Sequence, residues 1–335
     1  MKNYEIMMIN LALFAGNTNV TTDSGLSDAM KTYYSDYLID LAEPELVHDQ
    51  FAQKHPIPKN GGKIIEFRKY DSLPKALTPL TEGVTPDGQK LSLSVITSEV
   101  KQYGGYVELS DILLLTAIDN QLLQATRVLA SQAGRTLDTI TREVLNGGTN
   151  VQYAAGQVES RSALFYTSET ENCCLTVDAV RKAVRFLKLM NAPKINGSYV
   201  GIIHTDAAYD LMSDPKWVNV KTYSDPEGIY EGEIGKIEGV RFVETSEAKV
   251  FKGAGASGRD VYSTLILGAD AYGVTELSGG GLQHITKQLG SSGAADPLNQ
   301  RATAGWKATK TAERLVEQYM IRIETVSSFD DAPEN

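Results

Sequence analysis

The 335-residue sequence lacks the features of secreted, membrane-spanning and metal-binding proteins. Its two cysteines, Cys173 and Cys174, are adjacent, which is poor geometry for an intrachain disulfide, so we infer a reducing environment. No run approaches the roughly 20 consecutive apolar residues that a membrane helix needs, and no membrane partner is expected. The four histidines are scattered without the spacing of metal ligands, so we predict no metal site.

Positive charge is also scarce. The chain has 32 Lys and Arg residues against 42 Asp and Glu residues, which gives a net charge of −10. A protein whose main affinity is for phosphate backbones needs clustered cations, so this class is disfavoured, whereas an acidic shell around nucleic acid is still compatible. One helical face does carry four cations, and we interpret it as a solvated face, with nucleic acid or an acidic subunit edge as alternatives: Arg181, Lys182, Arg185 and Lys188.

Motifs for enzymatic chemistry are missing or out of context. Neither a GxSxG nucleophile turn nor a GxxxxGK[ST] phosphate loop occurs. Residues 253–258 match GxGxxG, but a strand-like run follows them, so no helix N-terminus would face a phosphate and we predict a flexible loop. His204, at the end of a predicted strand, is interpreted as a structural histidine and not as a catalytic base. We therefore predict no catalytic residue, no cofactor and no enzyme.

Charged residues within the longest helical pattern have an equally plain interpretation. Asp138 and Glu143 lie close in sequence to Arg135 and Arg142. Pairs at this spacing are neighbours on a helix surface, so we predict solvent-exposed ion pairs and not acid or base catalysts.

Long periodic elements are what the chain does contain. Apolar residues recur every three or four positions from Ile118 to Val144, which predicts a helix over residues 119–145, capped by Asp119 and stopped by Gly147 and Gly148. A second amphipathic helix is predicted after the N-cap Thr176. The following segments alternate strand and helix patterns and indicate a mixed lobe: strand 199–204, helix 205–212, and strands 240–245 and 261–267.

The most informative pattern is a predicted two-stranded arm. Strand-like runs at residues 63–70 and 91–107 flank twenty residues that are rich in turn formers. A two-stranded arm that projects from its own domain cannot bury both faces, so a neighbouring molecule is the expected cover.

The two ends of the chain are predicted to be less regular. Residues 1–27 form a polar N-terminal arm, and a docking helix starts near Ser27 and ends before Pro44. Residues 301–310 and 317–326 are predicted to form a closing hairpin whose last strand returns to the first lobe.

Short motifs spread along the chain carry a family resemblance: residues 46–51, 56–63, 67–68, 79–86, 102–104, 137–142, 235–245 and 305–307. Together they closely resemble the major capsid proteins of tailed bacteriophages, in the branch typified by the N-four phage coat protein. The resemblance covers about residues 28–327.

The resemblance implies an α+β fold of the Hong Kong ninety-seven capsid type. Its parts would be the N-terminal arm 1–27, a peripheral domain 28–174 with extended loop 63–107 and spine helix 119–146, an axial domain 175–286, a return segment 287–327 and a tail 328–335.

A function as a self-assembling shell subunit is also implied. Such a subunit assembles through hexamers and pentamers into an icosahedral virion shell around double-stranded DNA, in the cytoplasm of a bacterial host. Its partners would be other copies, a portal, and scaffold or decoration proteins. We predict inter-subunit contacts at charged residues that flank or occupy the loop, with simple solvation as the alternative: Arg68, Lys75, Glu82, Asp87 and Lys90.

Two other functions stay open at this point. An encapsulin-like compartment has the same fold but encloses protein cargo. A nucleotide-dependent enzyme that uses residues 253–258 would belong to another class, and its sign would be a retained dinucleotide in a monomer or dimer.

Overall fold

The computed structural model describes residues 46–57, 63–70, 73–80, 82–83, 85, 88–116, 121–154, 158–167, 172–217, 235–276, 282–291 and 296–330. The predicted N-terminal arm, the predicted docking helix and the predicted cap Asp119 lie outside these residues.

The described residues form a mixture of helices and strands. The strands are β1 (Gln53–His55), β2 (Ile64–Tyr70), β3 (Leu93–Glu99), β4 (Lys101–Ser110), β5 (Val151–Tyr153), β6 (Tyr199–Ile203), β7 (Lys236–Ile237), β8 (Val240–Glu244), β9 (Val250–Phe251), β10 (Val261–Leu267), β11 (Tyr272–Thr275), β12 (Leu282–Lys287), β13 (Arg301–Lys310), β14 (Ala312–Arg314) and β15 (Met320–Thr325). The α-helices are α1 (Asp111–Thr116), α2 (Gln121–Asn146), α3 (Val177–Leu189) and α4 (Thr205–Ser213). No helix among the described residues is long and apolar enough to cross a membrane.

Helix α2 is the long helix that the periodicity predicted. Its apolar stripe, including Leu129, Ala133 and Leu137, is buried against Trp306 and neighbouring alanines of β13. The three-stranded antiparallel sheet β12-β13-β4 therefore has one face covered by α2. The amide of Gly147 still donates to the Glu143 carbonyl at 3.0 Å, and the helix ends there, as predicted from the glycine pair.

A larger sheet forms the second lobe, in the order β5-β15-β10-β6-β8-β7, with β9 paired to β10. One face packs against α3 and α4, because Val180 and Val184 share a core with Tyr262 and Ile323. The opposite face packs against the C-terminal end of α2 through Leu145. The sheet is thus a central layer between two helical surfaces.

Local signals in the second lobe are confirmed. The Thr176 hydroxyl accepts a hydrogen bond from the Ala179 amide at 3.4 Å, which makes it the N-cap of α3. The predicted strands and the short helix appear as β6, β8, β10 and α4.

The predicted closing hairpin, with a last strand that returns to the first lobe, is wrong. Strand β13 pairs with β12 and β4, whereas β15 pairs with β10 and β5 in the larger sheet. Between them, β14 pairs with β11 in a third sheet, so the chain changes sheets twice within a few residues. The alternating pattern of residues 319–325 identified a strand, but its polar members are buried: Glu324 is fully buried and accepts from Arg161 at 2.7 Å.

Candidate assembly surfaces

Strands β2 and β3 form the predicted arm. They pair antiparallel along their full length, from Ile64 opposite Glu99 to Tyr70 opposite Leu93. The predicted second run divides at Val100, since β4 joins a different sheet. We use the name arm for residues 63–100.

The root of the arm is fixed to the rest of the molecule. Phe67 is 1% exposed and packs beside His55, with the two ring centroids 4.8 Å apart. A Cβ on Gly273 would lie 2.6 Å from the Phe67 ring, so this close approach requires glycine. The hydroxyls of Ser98 and Thr311 lie 2.7 Å apart at the same root.

Beyond its root the arm exposes apolar side chains. Because side chains alternate along a strand, Ile64, Leu93 and Val95 share the face opposite Phe67. They and the leucines of the connecting segment are 45% to 81% exposed: Ile64, Leu73, Leu77, Leu80, Leu91, Leu93 and Val95. A concentration of exposed apolar residues on a projecting element indicates a surface that another protein covers.

The charged residues predicted for the arm are described with one exception. Lys75, Glu82 and Lys90 are exposed, and Asp87 lies outside the described residues. Arg68 is exposed and forms a 3.4 Å ion pair with Glu66 of the same strand. Their contact with another subunit stays a prediction.

A groove lies on the outer face of the β12-β13-β4 sheet, the face that α2 does not cover. Its volume is about 680 Å³. Gly104 and Gly305 contribute no side chain to its floor, while Tyr106 and Ile285, both exposed, lie on either side of Gly305 across the paired strands.

The arm and the groove extend in opposite directions from the end of β13. Only Val100 separates β3 from β4, and the Val100 amide still donates to the Lys63 carbonyl at 2.8 Å. Ser98 of the arm contacts Thr311, which directly follows Lys310, the last residue of β13, so the arm begins where β13 ends. The groove instead extends from Gln102 along β4 to Glu108, and none of the residues that line it belongs to the arm.

A third surface lies at the far end of the same sheet. The Asp111 amide donates to the Gln300 carbonyl at 3.0 Å and joins α1 to the connection between β12 and β13. Five large apolar residues that are 42% to 86% exposed form what we call the tip patch: Ile112, Leu113, Leu115, Leu289 and Leu298.

A buried polar cluster joins residues 46–51 to helix α2, and sequence reasoning missed it. Asp138 is fully buried; one of its oxygens accepts from the His48 amide at 2.7 Å and the other from His48 Nδ1 at 2.6 Å. The Tyr272 hydroxyl donates to the His48 carbonyl, and burial raises the pKa of Tyr272 well above its usual value. Asp49 accepts from Thr141 at 2.6 Å and pairs with buried Lys310.

The prediction of solvent-exposed pairs on α2 is therefore wrong for Asp138 and Arg142. Arg142 is 1% exposed and donates to the Glu247 carbonyl at 2.8 Å and to Glu143 at 3.0 Å. Burial opposes ionisation of Glu143, but hydrogen bonds from Lys249 and Arg142 outweigh it and lower the pKa of Glu143. Asp138 bonds to His48, and Arg142 pairs with the adjacent Glu143, so pairing at helical spacing did not predict these contacts.

The sites considered for chemistry have structural roles. Residues 253–258 form a loop with a short 3-10 turn, and strand β10 follows them as predicted, whereas the flexibility of the loop stays a prediction. His204 caps α4, since its Nδ1 accepts from the Asp206 amide at 3.2 Å, and burial lowers its pKa. Burial also raises the pKa of Cys174 to about 12, which keeps the thiol protonated. Among the described residues, no group of His, Cys, Asp and Glu side chains could hold a metal ion.

Comparison with known proteins gives these surfaces a context. Residues 113–290, more than half of the chain, match the family model described as phage capsid protein. No curated protein sequence matches the chain.

Solved capsid structures have the same fold. The capsid of Ralstonia phage GP4 matches with a TM-score of 0.63 and 14% identity, over 85% of this chain and 87% of that one. The capsid of Cyanophage Pam1 matches with 0.60 and 15%, over 86% and 93%. The capsid of Cyanophage P-SCSP1u matches with 0.58 and 14%, over 83% and 87%.

These neighbours confirm the α+β fold of the Hong Kong ninety-seven type. The family match includes the long helix α2, strand β12 and most of the second lobe. The chain therefore belongs to the phage capsid protein family and is a major capsid protein of a tailed phage.

Proposed function

We propose that copies of this chain assemble through hexamers and pentamers into an icosahedral shell that encloses double-stranded DNA. The observation that carries the proposal is the arm, which is fixed at its root by Phe67 and exposes apolar residues from Ile64 to Val95. An isolated two-stranded element is marginally stable in water, so the exposed face is a surface for another copy.

The groove on the outer sheet face is the proposed receiver of that arm. Leu77 and Leu80 of the arm are among its most exposed residues, and the groove offers Tyr106 and Ile285 as apolar walls. Because an arm points away from its own groove, each copy reaches into a different copy. Such head-to-tail contacts generate rings when the rotation closes.

The tip patch supplies the second contact that a closed shell requires. Rings that are held only by arms would not be joined to each other. The tip patch lies at the opposite end of the sheet from the arm root, as a contact between rings requires. Weak contacts that repeat over many copies add up to a stable assembly.

The domain boundaries, the place of assembly and the further partners belong to the same proposal. Residues 28–174 would form the peripheral domain, residues 175–286 the axial domain and residues 287–327 the return segment, whose last strand β15 joins the sheet of the second lobe. Assembly would take place in the cytoplasm of the bacterial host, with a portal and scaffold or decoration proteins as partners. We also propose that the charged arm residues contact a neighbouring subunit: Arg68, Lys75, Glu82, Asp87 and Lys90.

Substitutions in the arm test this proposal. We expect the double change Leu77→Ser and Leu80→Ser to shift purified chain from fast-sedimenting particles to slow subunits, because it removes apolar area that only another copy buries.

Charge reversal at Glu82 should lower the yield of particles at low salt, and added salt should weaken this effect.

Leu189→Ser is the matched control, since Leu189 is 62% exposed but lies on α3, away from the arm. The control should sediment like the native chain. Particles of native yield from the double arm variant would contradict the proposed arm contact, and an unchanged yield for Glu82→Lys would remove Glu82 from it.

A further inference from the structure

Helix α3 presents a positively charged surface that shares no residue with the arm, the groove or the tip patch. Its apolar side, with Val180, Val184 and Leu187, is buried against the large sheet. The opposite side carries four exposed cations, which we call the basic face: Arg181, Lys182, Arg185 and Lys188. Four cations on two turns of one helix stand out in a chain whose net charge is −10.

Only one end of the basic face is neutralised by neighbours. Arg181 pairs with Glu238 at 2.9 Å and with Asp178 at 3.4 Å. Lys182, Arg185 and Lys188 form no ion pair with any residue that the structure describes. These three cations are therefore available to an anionic partner.

The chemistry of the basic face suits a phosphate backbone better than a protein surface. The centres of protein interfaces are enriched in aromatic residues and depleted in lysine. The basic face has no aromatic residue, and its exposed apolar residues, Leu189 and Met190, lie at its end. Lysine and arginine contacts to phosphates position a protein on nucleic acid without reading its sequence.

The dimensions agree with this partner. Residues 182–188 span about 9 Å along the helix axis at 1.5 Å per residue. One strand of double-stranded DNA rises about 3.4 Å per phosphate, so this length faces about three phosphates. The three unpaired cations and the facing phosphates are therefore matched in number.

We propose that the basic face binds the phosphate backbone of the packaged double-stranded DNA without sequence preference. This inference rests on the proposed function, because only a shell that encloses DNA brings the two together. The acidic remainder of the chain keeps binding by a single copy weak. Many copies that face the same DNA make the summed binding strong.

The test compares two full-length variants that lose the same charge. The first carries Lys182→Gln, Arg185→Gln and Lys188→Gln, and keeps Arg181 with its ion pairs. The control instead neutralises three scattered exposed cations: Lys54, Lys101 and Arg135. Fluorescence anisotropy of a duplex of about 30 base pairs gives the binding constant of unassembled subunits at several salt concentrations.

For the basic-face variant we expect a slope of log binding constant against log salt that is smaller by about 2 to 3, at roughly 0.9 per phosphate contact. Binding at about 50 mM salt should be more than tenfold weaker. The control should keep most of the native slope.

Equal losses in both variants would overturn the proposal, because net charge alone would explain them. An unchanged slope in the basic-face variant would overturn it as well. If that variant binds duplex normally but fails to form particles, the basic face instead contacts the acidic edge of another copy. Failure of the native chain to form particles would refute the proposed shell, and the duplex comparison would then refute or support the basic face by itself.

Discussion

Buried charge is concentrated where residues 46–51 meet helix α2. Asp138 accepts hydrogen bonds from both the backbone amide and the ring nitrogen of His48. Asp49 accepts a hydrogen bond from Thr141 and forms an ion pair with Lys310. A buried carboxylate costs free energy unless its oxygens are hydrogen-bonded, and these are. The cluster therefore fixes residues 46–51 against helix α2.

Asp138→Asn tests the cluster. An amide retains the shape but places an NH₂ group where an acceptor is required, so one hydrogen bond to His48 is lost in a buried site. We expect the free energy of unfolding of the unassembled subunit to fall by about 2 to 4 kcal/mol in urea titrations.

Asp178→Asn is the comparison, because Asp178 also pairs with cations but its side chain is 47% exposed. Its effect should be several times smaller, since solvent screens exposed pairs. Equal effects at the two positions would show that the buried cluster adds nothing beyond an ordinary surface pair.

The sequence predicted the positions of helices and strands well, but it predicted less well which strands pair. Periodicity and caps are local, so α2, α3 and the strands of the second lobe were predicted from residues such as Thr176 and Gly147. Strand partners are not local: the alternation in residues 320–325 is the same for a hairpin partner and for β10. The burial of Asp138 could not be predicted from the sequence either, because His48, which bonds to it, is 90 positions away.

Gly273→Ala tests the root of the arm at the scale of an element. The added methyl group would meet the buried Phe67 ring at 2.6 Å, and neither side can yield without moving a strand. We expect a loss of stability of about 1 to 3 kcal/mol. Hydrogen exchange should become faster in β2 and β3 but not in α3.

Gly88→Ala is the control, because a methyl group there meets no atom within 4 Å. It should leave exchange in β2 and β3 unchanged. If Gly273→Ala also left it unchanged, Phe67 would not be the contact that fixes the arm.

In the whole molecule, the arm, the groove and the tip patch have a role only when several copies are present, because we propose that each contacts another copy. The sequence predicted an arm that needs a cover, from its turn-rich segment between two strands. It did not predict the groove, because the glycines of its floor come from β4 and β13, some 200 positions apart along the chain. The cations of α3 were visible in the sequence, but it could not show that Lys182, Arg185 and Lys188 form no ion pair with the described residues.

The most direct test of the account is electron cryomicroscopy of the fast-sedimenting fraction from the full-length chain. We expect closed particles built of rings, in which density for residues 73–80 of one copy lies in the sheet groove of the next. Particles with the arm folded onto its own chain would contradict the proposed contact. A chain that stays a monomer or dimer, even with its own scaffold and portal proteins present, would contradict the shell itself.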